Sequence, residues 1–570
     1  MSITRRQFLK ASATAGLAAG VLPVLGGCGA TGDGAPVTLF TGGTIYVDAA
    51  TTARNLVVQG GTVVALDVDP SAWPGAAVVD LGGAVAYPGF TDSHMHLMET
   101  GTMLVVGGEI RPAPRNGREV AAGLVALAEK HPGAKALLAF GVNPPDYDAW
   151  SLDDLAEIDA VEPGRVAIVF DRLGHNCVVN GFAMRKFDAD RKPVPYGGTV
   201  VRQDGKATGM FREAAMNLVA TDAFAEFDDA SVKAGTAALA AQWARRGYTG
   251  LVDLMGATGL QLMRPRLLRE LEQEGKLPLR VHYCHTLLSL ADVEVAAGFV
   301  GQDTDLVRFV GGKIFVDGAF AGGQAWTSWP HTLPAGSHGL PQITTDDAHA
   351  PELNLNRIVA RAEELGLDMH YHAQGDLAIK AVLDALARVL DSTGRLRGIH
   401  TLIHLAYPTP ELVDHLLSVN ARAGGRHVVA TTQPGFWEVE ADTTQYYGDR
   451  ALDAYPLKSL IDSGVSVGIS TDFAVSPIEL VNPTKIMGVA ATGGSYAAHH
   501  PPVTVQDVVQ GLTVGSARTT GQRDVGMLHV GYKADMVVYE EDLYGIAPEA
   551  LSATYPALVS TWVGGRLTPP

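Results

Sequence analysis

Hydrophobic positions along this chain follow two patterns. From Val37 to Val85, short β-type runs alternate with glycine turns: Val37-Thr-Leu-Phe, Gly42-Gly-Thr-Ile-Tyr-Val, Asn55-Leu-Val-Val and Gly60-Gly-Thr-Val-Val-Ala-Leu. This predicts a small antiparallel sheet. The far end reads the same way, with Gly531-Tyr-Lys-Ala-Asp-Met-Val-Val-Tyr and Ser560-Thr-Trp-Val-Gly-Gly-Arg-Leu. Two β-rich ends around one body predict a composite β domain, built from 37–85 and 521–570. Between them lie eight short apolar runs, most followed by helical stretches, ending near His96, Asp253, His285, Asp317, His372, His404, Gln433 and Asp472. Strand–helix alternation predicts a parallel sheet covered by helices, and eight such units predict a (β/α)8 TIM barrel, here over 86–520. The stretch 98–230 is too long for a loop and is read as an inserted subdomain after the first strand.

The N-terminus reads as an address. Thr4-Arg-Arg-Gln-Phe-Leu-Lys precedes a weakly apolar run from Ala11 to Leu25, which predicts a twin-arginine export signal over 1–27. The alternative, a transmembrane anchor, is disfavoured by a run this short and this rich in Ala and Gly. Leu25-Gly-Gly-Cys28 resembles a bacterial lipobox, with Cys28 as the lipidated residue and 28–36 as a flexible tether. The expected partners are the twin-arginine machinery and a membrane reached through the lipid. The expected location is periplasmic or at the cell surface.

Composition changes this picture little. Apolar residues make up 47% of 570, enough for a large core. The formal charge is −18, and the first 27 residues hold three bases and no acid. Such a surface repels nucleic acid and anionic lipid. Three cysteines without a CxxC pair provide no disulfide framework, so a metal site must come from histidines and carboxylates.

The strand ends carry the candidate chemistry: His94, His96, Lys313, His372, His404 and Asp472. Burying so many titratable groups unpaired would cost several kcal/mol, and in a barrel these ends meet at one mouth. His94 and His96, two apart on a strand, share a face, so both rings can reach one zinc ion. Asp92 could orient the loop or a ligand.

The motifs Pro88-Gly-Phe-Thr-Asp-Ser-His-Met-His96, Gly174-His-Asn, Thr208-Gly-Met-Phe-Arg-Glu213, Lys313-Ile-Phe-Val-Asp-Gly318, His372-Ala-Gln-Gly-Asp376, His404, Ser470-Thr-Asp472 and Gly531-Tyr-Lys-Ala-Asp535 occur in this order. In this set the chain resembles the amidohydrolase superfamily, in particular its family 3 branch, which includes N-substituted formamide deformylases. The resemblance implies one or two divalent metals, usually zinc. It implies that His94, His96 and Asp472 bind the more buried metal and that His372 and His404 bind the second. Lys313 would bridge the two as a CO2-derived carbamate. It further implies hydrolysis of a C–N bond in an amide, formamide or related small molecule by a metal-held hydroxide, with Asp472 shuttling the proton.

Alternatives stay open at this level. Lys313 could be an ordinary lysine paired with Asp317. His370 competes with His372, and His400 with His404. His175 could hydrogen-bond the substrate carbonyl or leaving group, or be a structural histidine of the insertion; Glu213 reads as a structural partner within the insertion and Cys177 as a small buried hydrophobe. The rival functions are a deaminase or cyclic-amide hydrolase on the same barrel, and an inactive lipid-anchored binding protein.

Overall fold

A computed structural model describes residues 35–569, except 148, 255–263, 347 and 440–442. The segment read as an export signal, Cys28 and the expected tether up to residue 34 lie outside the described residues. Among the described residues, no helix is long and apolar enough to cross a membrane.

Eight parallel strands form the central sheet. They are β1 (Phe90–Met95), β2 (Tyr248–Asp253), β3 (Arg280–Thr286), β4 (Val307–Phe315), β5 (Met369–Ala373), β6 (His400–His404), β7 (Val428–Thr432) and β8 (Val467–Ile469). Each pairs with its sequence neighbour, in the order β8 to β1. The ring closes where Ser93 Oγ donates to the Ile469 carbonyl at 3.1 Å and the Asp472 amide donates to the His94 carbonyl at 2.8 Å. The strands are buried almost throughout, which is why they read as continuous apolar runs rather than as alternation. The covering helices are amphipathic. Pro410–Ala423 starts at a proline, turns Leu412, Val413, Leu416 and Val419 inward, and stops at Gly424, whose φ of 74° suits the left-handed C′ position.

Both chain ends build the β domain. Val85–Pro88 pairs with Met536–Tyr539, and the shared core joins Phe40, Ile45 and Leu56 to Leu528, Val538 and Trp562. The Gly531–Asp535 motif has a structural use here. Asp535 takes a two-pronged ion pair from Arg280 of β3, at 2.7 and 3.0 Å, and also accepts the Gly564 amide. This buried pair fastens the β domain to the barrel, and removing one partner from such a pair typically costs about 3–5 kcal/mol.

After β1 the chain leaves the barrel. Its six-stranded sheet runs in the order Gly198–Gln203, Lys206–Glu213, Asn176–Val179, Val166–Asp171, Ala136–Val142, Gly108–Glu109. Cys177 is buried within it. The helix Asp229–Ala244 then leads back into β2.

Candidate metal centre

The strand-end side chains meet in one cavity of about 310 Å3. His94, His96, Lys313, His372, His404 and Asp472 all line it. His94 Nε2 and His96 Nε2 lie 3.0 and 3.1 Å from the same oxygen, Asp472 Oδ1. His404 Nε2 and His372 Nδ1 face each other at 3.1 Å, and His404 Nδ1 is 3.9 Å from Asp472 Oδ2.

The charge states suit cation binding. Burial keeps His94 neutral, with its pKa pushed down to about 3. Burial holds His372 and His404 far below the usual histidine range, with repulsion from His404 adding at His372 and from His94 and Lys313 at His404. Burial acts against ionisation of Asp472, yet His94, His96 and His404 keep its carboxylate well below the ordinary range. His96 moves up: burial opposes its protonation, but its hydrogen bond to Asp472 and the charge of that carboxylate outweigh it. Imidazoles around one carboxylate are the donor set that zinc takes, and a cation there would compete with the proton that Asp472 favours on His96. The group His94, His96 and Asp472 has ligand atoms close enough for a single ion.

The second pair fits a cation for a different reason. Gln433 donates its Nε2 to Ser470 Oγ at 2.8 Å, so its Oε1 is the atom facing His404 Nδ1 at 2.9 Å. That assigns the His404 proton to Nδ1 and turns the Nε2 lone pair toward His372. His372 Nε2 is buried without a hydrogen bond, and its nearest carboxylate oxygen is Asp317 Oδ1, 3.8 Å away. Lys313 Nζ is likewise buried without a hydrogen-bond partner, 4.7 Å over the Phe315 ring. Burial pushes its pKa down to about 7, with Asp472 pulling the other way.

The rival residues have other occupations. Asp317 accepts the amides of Trp326, Gln374 and Gly375, which ties the segment after β4 to the end of β5 and leaves Lys313 unpaired. His370 Nε2 sits 3.1 Å from the Val310 carbonyl. His400, at the start of β6, bonds Glu363 at 2.8 Å. Asp92 orients a loop: it accepts Trp243 Nε1 at 2.9 Å and both the amide and hydroxyl of Thr471, the residue before Asp472.

His175 comes from the insertion. Its Nδ1 meets Glu213 Oε2 at 2.7 Å, and its ring lies 5.1 Å from that of His372. Burial alone would lower its pKa, but the Glu213 charge raises it. Glu213 is more than a partner within the insertion. It also accepts from the Ala319 amide and from Gln342, so it locks the insertion onto the segment after β4.

Three features of the site went unread in the sequence. Gln433 marked only a strand end there, yet it orients His404. His404, Asp472 and Glu213 adopt left-handed backbone, with φ of 73°, 52° and 51°. Such positions cost about 1–3 kcal/mol each and recur at functional sites. The third is Arg172, a charged residue two positions before the Gly174-His pair, which lines the cavity mouth.

Comparison with known proteins agrees with this geometry. The profile of the amidohydrolase family matches residues 77–569. The amidohydrolase YtcJ of Bacillus subtilis is 25% identical, over 84% of this chain and 88% of its own length. The N-substituted formamide deformylase of Arthrobacter pascens is 22% identical, over 86% and 90%. The crystal structure of an uncharacterized metal-dependent hydrolase from Pyrococcus horikoshii superposes with a TM-score of 0.69 at 20% identity, covering 90% of this chain and 99% of that one.

Proposed function

Because the chain belongs to the amidohydrolase family and is a metal-dependent hydrolase by that membership, we propose that it cleaves a C–N bond of an amide or formamide at a two-zinc centre. The observation that carries this reading is the convergence of His94, His96 and Asp472 with His372, His404 and the unpaired Lys313 in one cavity. Every candidate ligand is present, which disfavours an inactive binding protein.

In this reading His94, His96 and Asp472 hold one ion and His372 and His404 the other. A divalent metal, when bound, acidifies water and polarises a carbonyl oxygen. The residues do the rest. The neutral amine of Lys313 can add to CO2 and lose one proton, giving a carbamate that would supply two further oxygen donors to the ions. Asp472 takes a proton from the attacking water at its carboxylate as the new C–O bond forms. It hands that proton to the leaving nitrogen as the C–N bond breaks, so an amine and a carboxylic acid result. His175, with Nδ1 fixed by Glu213, has Nε2 left to donate to the substrate oxygen or to the leaving group. Resemblance to an N-substituted formamide deformylase favours a formyl or small acyl group on nitrogen. A series of N-formyl amines, N-acyl amines, cyclic amides, aminopurines and esters tests the bond class. Release of a free amine from an acyclic amide is the expected result; turnover confined to aminopurines or cyclic amides would replace this reading with deamination or ring opening.

The protein is further proposed to work outside the cytoplasm on a lipid anchor, on the strength of Thr4–Lys10 and Leu25-Gly-Gly-Cys28. Lipid chains contribute about 0.8 kcal/mol per buried CH2, so two or three anchor a protein stably. Cys28→Ser is expected to move the folded protein from the membrane pellet to the soluble fraction. A variant that still pellets completely with membranes contradicts the anchor.

A further inference from the structure

The cavity wall is mostly apolar, with Met103, Phe140, Phe170, Met216, Leu287 and Phe315 facing the same space as the histidine cluster. One cation breaks this lining at the mouth. Arg172 is the one arginine among the described residues of the cavity, and it also borders an outer recess with Glu109, Arg111 and Glu479. Its guanidinium makes no hydrogen bond or ion pair among the described residues. The acids of the recess are taken: Glu109 pairs with Arg111 at 2.6 Å, and Glu479 with the same arginine at 3.7 Å.

The backbone that carries Arg172 is firmly held. The Arg172 amide donates to the Val142 carbonyl at 2.9 Å. Asp171 gathers the amides of His175 and Asn176 and the Asn176 side chain at 2.6 Å. The Glu213 amide donates to the His175 carbonyl at 2.7 Å. The same short segment therefore sets His175 against the metal cluster and Arg172 at the opening. Glu213, a further carboxylate of the cavity, is bound to His175, Gln342 and Ala319.

A guanidinium left without an acceptor beside an apolar channel is a receptor for a planar anion, because its parallel N–H groups match the two oxygens of a carboxylate. We propose that Arg172 binds a free carboxylate of the substrate, so that the enzyme acts on N-formyl or N-acyl derivatives of apolar amino acids or similar amide acids. The apolar wall takes the side chain, the amide reaches the histidine cluster, and the carboxylate stays at the mouth on Arg172. This rests on the C–N hydrolase reading above for the amide, but not for the anion.

The test compares matched pairs within each protein. Turnover is measured on N-formylphenylalanine and on N-formylphenethylamine, which lacks only the carboxylate. Binding is measured by calorimetry for 3-phenylpropanoate and 3-phenylpropanol. Wild type is expected to prefer the acid in both pairs by about 10- to 100-fold, the range of a charge-assisted hydrogen-bonded pair. Arg172→Ala is expected to bring both ratios close to one, and Arg172→Lys to retain part of them. Because each ratio is internal to one variant, a general loss of activity does not imitate the result. Equal treatment of acid and neutral partner by wild type overturns the proposal, and so does an acid preference that survives Arg172→Ala. If the binding ratio behaves as expected while neither formyl compound is hydrolysed, the anion site stands and the C–N hydrolase reading fails.

Discussion

Asp472→Asn is expected to lower turnover about 100- to 10,000-fold, the usual worth of a positioned general base, while the fold stays intact. The carboxylate is the hub of the cluster, with His94 Nε2 and His96 Nε2 both on Oδ1 and His404 within 3.9 Å of Oδ2. An amide keeps the size and the left-handed backbone at this position but carries no charge. Its nitrogen cannot accept a proton, and the imidazoles lose the anion that draws them together. Two effects are thereby mixed, so zinc content must be measured with the rate. If zinc is retained and turnover is lost, the proton role is isolated. Near-normal turnover by the variant removes Asp472 from the mechanism.

Lys313→Ala is expected to empty one of the two proposed ion sites and to lower turnover about 100-fold or more, since losing a metal's charge stabilisation costs several kcal/mol. Lys313 is 1% exposed, and its Nζ has no hydrogen-bond partner. A buried ammonium would face a strong desolvation penalty. The lowered pKa of about 7 is the consequence, and it leaves neutral amine available to react with CO2 near neutral pH. A short carboxylate such as propionate should then partly restore turnover to the Ala variant, because the free acid can fill the space that the proposed carbamate would take. Wild type prepared with bicarbonate should gain the mass of CO2 on Lys313. If the Ala variant keeps two metals and its full rate, the lysine is structural and the bridge does not exist.

Much of this site was legible because barrel strands are short, apolar and end in their chemistry. His94 and His96 could be paired from a period of two, and they do meet at one oxygen. The rival histidines separated once strand direction was known. His400 opens β6 and is tied to Glu363, whereas His404 closes it at the mouth. His370 lies two residues deeper in β5 than His372, against the Val310 carbonyl. What could not be read depends on segments far apart in the chain. The Asp92 bonds that place the loop before Asp472 span 379 positions. No local pattern marks that partnership, the unpaired state of Arg172, or the left-handed backbone at His404 and Asp472.

Zinc held by His94, His96, Lys313, His372, His404 and Asp472 is proposed to make the protein a hydrolase. The most direct measurement strips the full-length protein with a chelator and follows amide turnover as zinc is added back. Turnover is expected to be absent in the stripped protein, to rise with zinc and to level off near two ions per chain. Stripped protein that hydrolyses its amide at the full rate would contradict the claim.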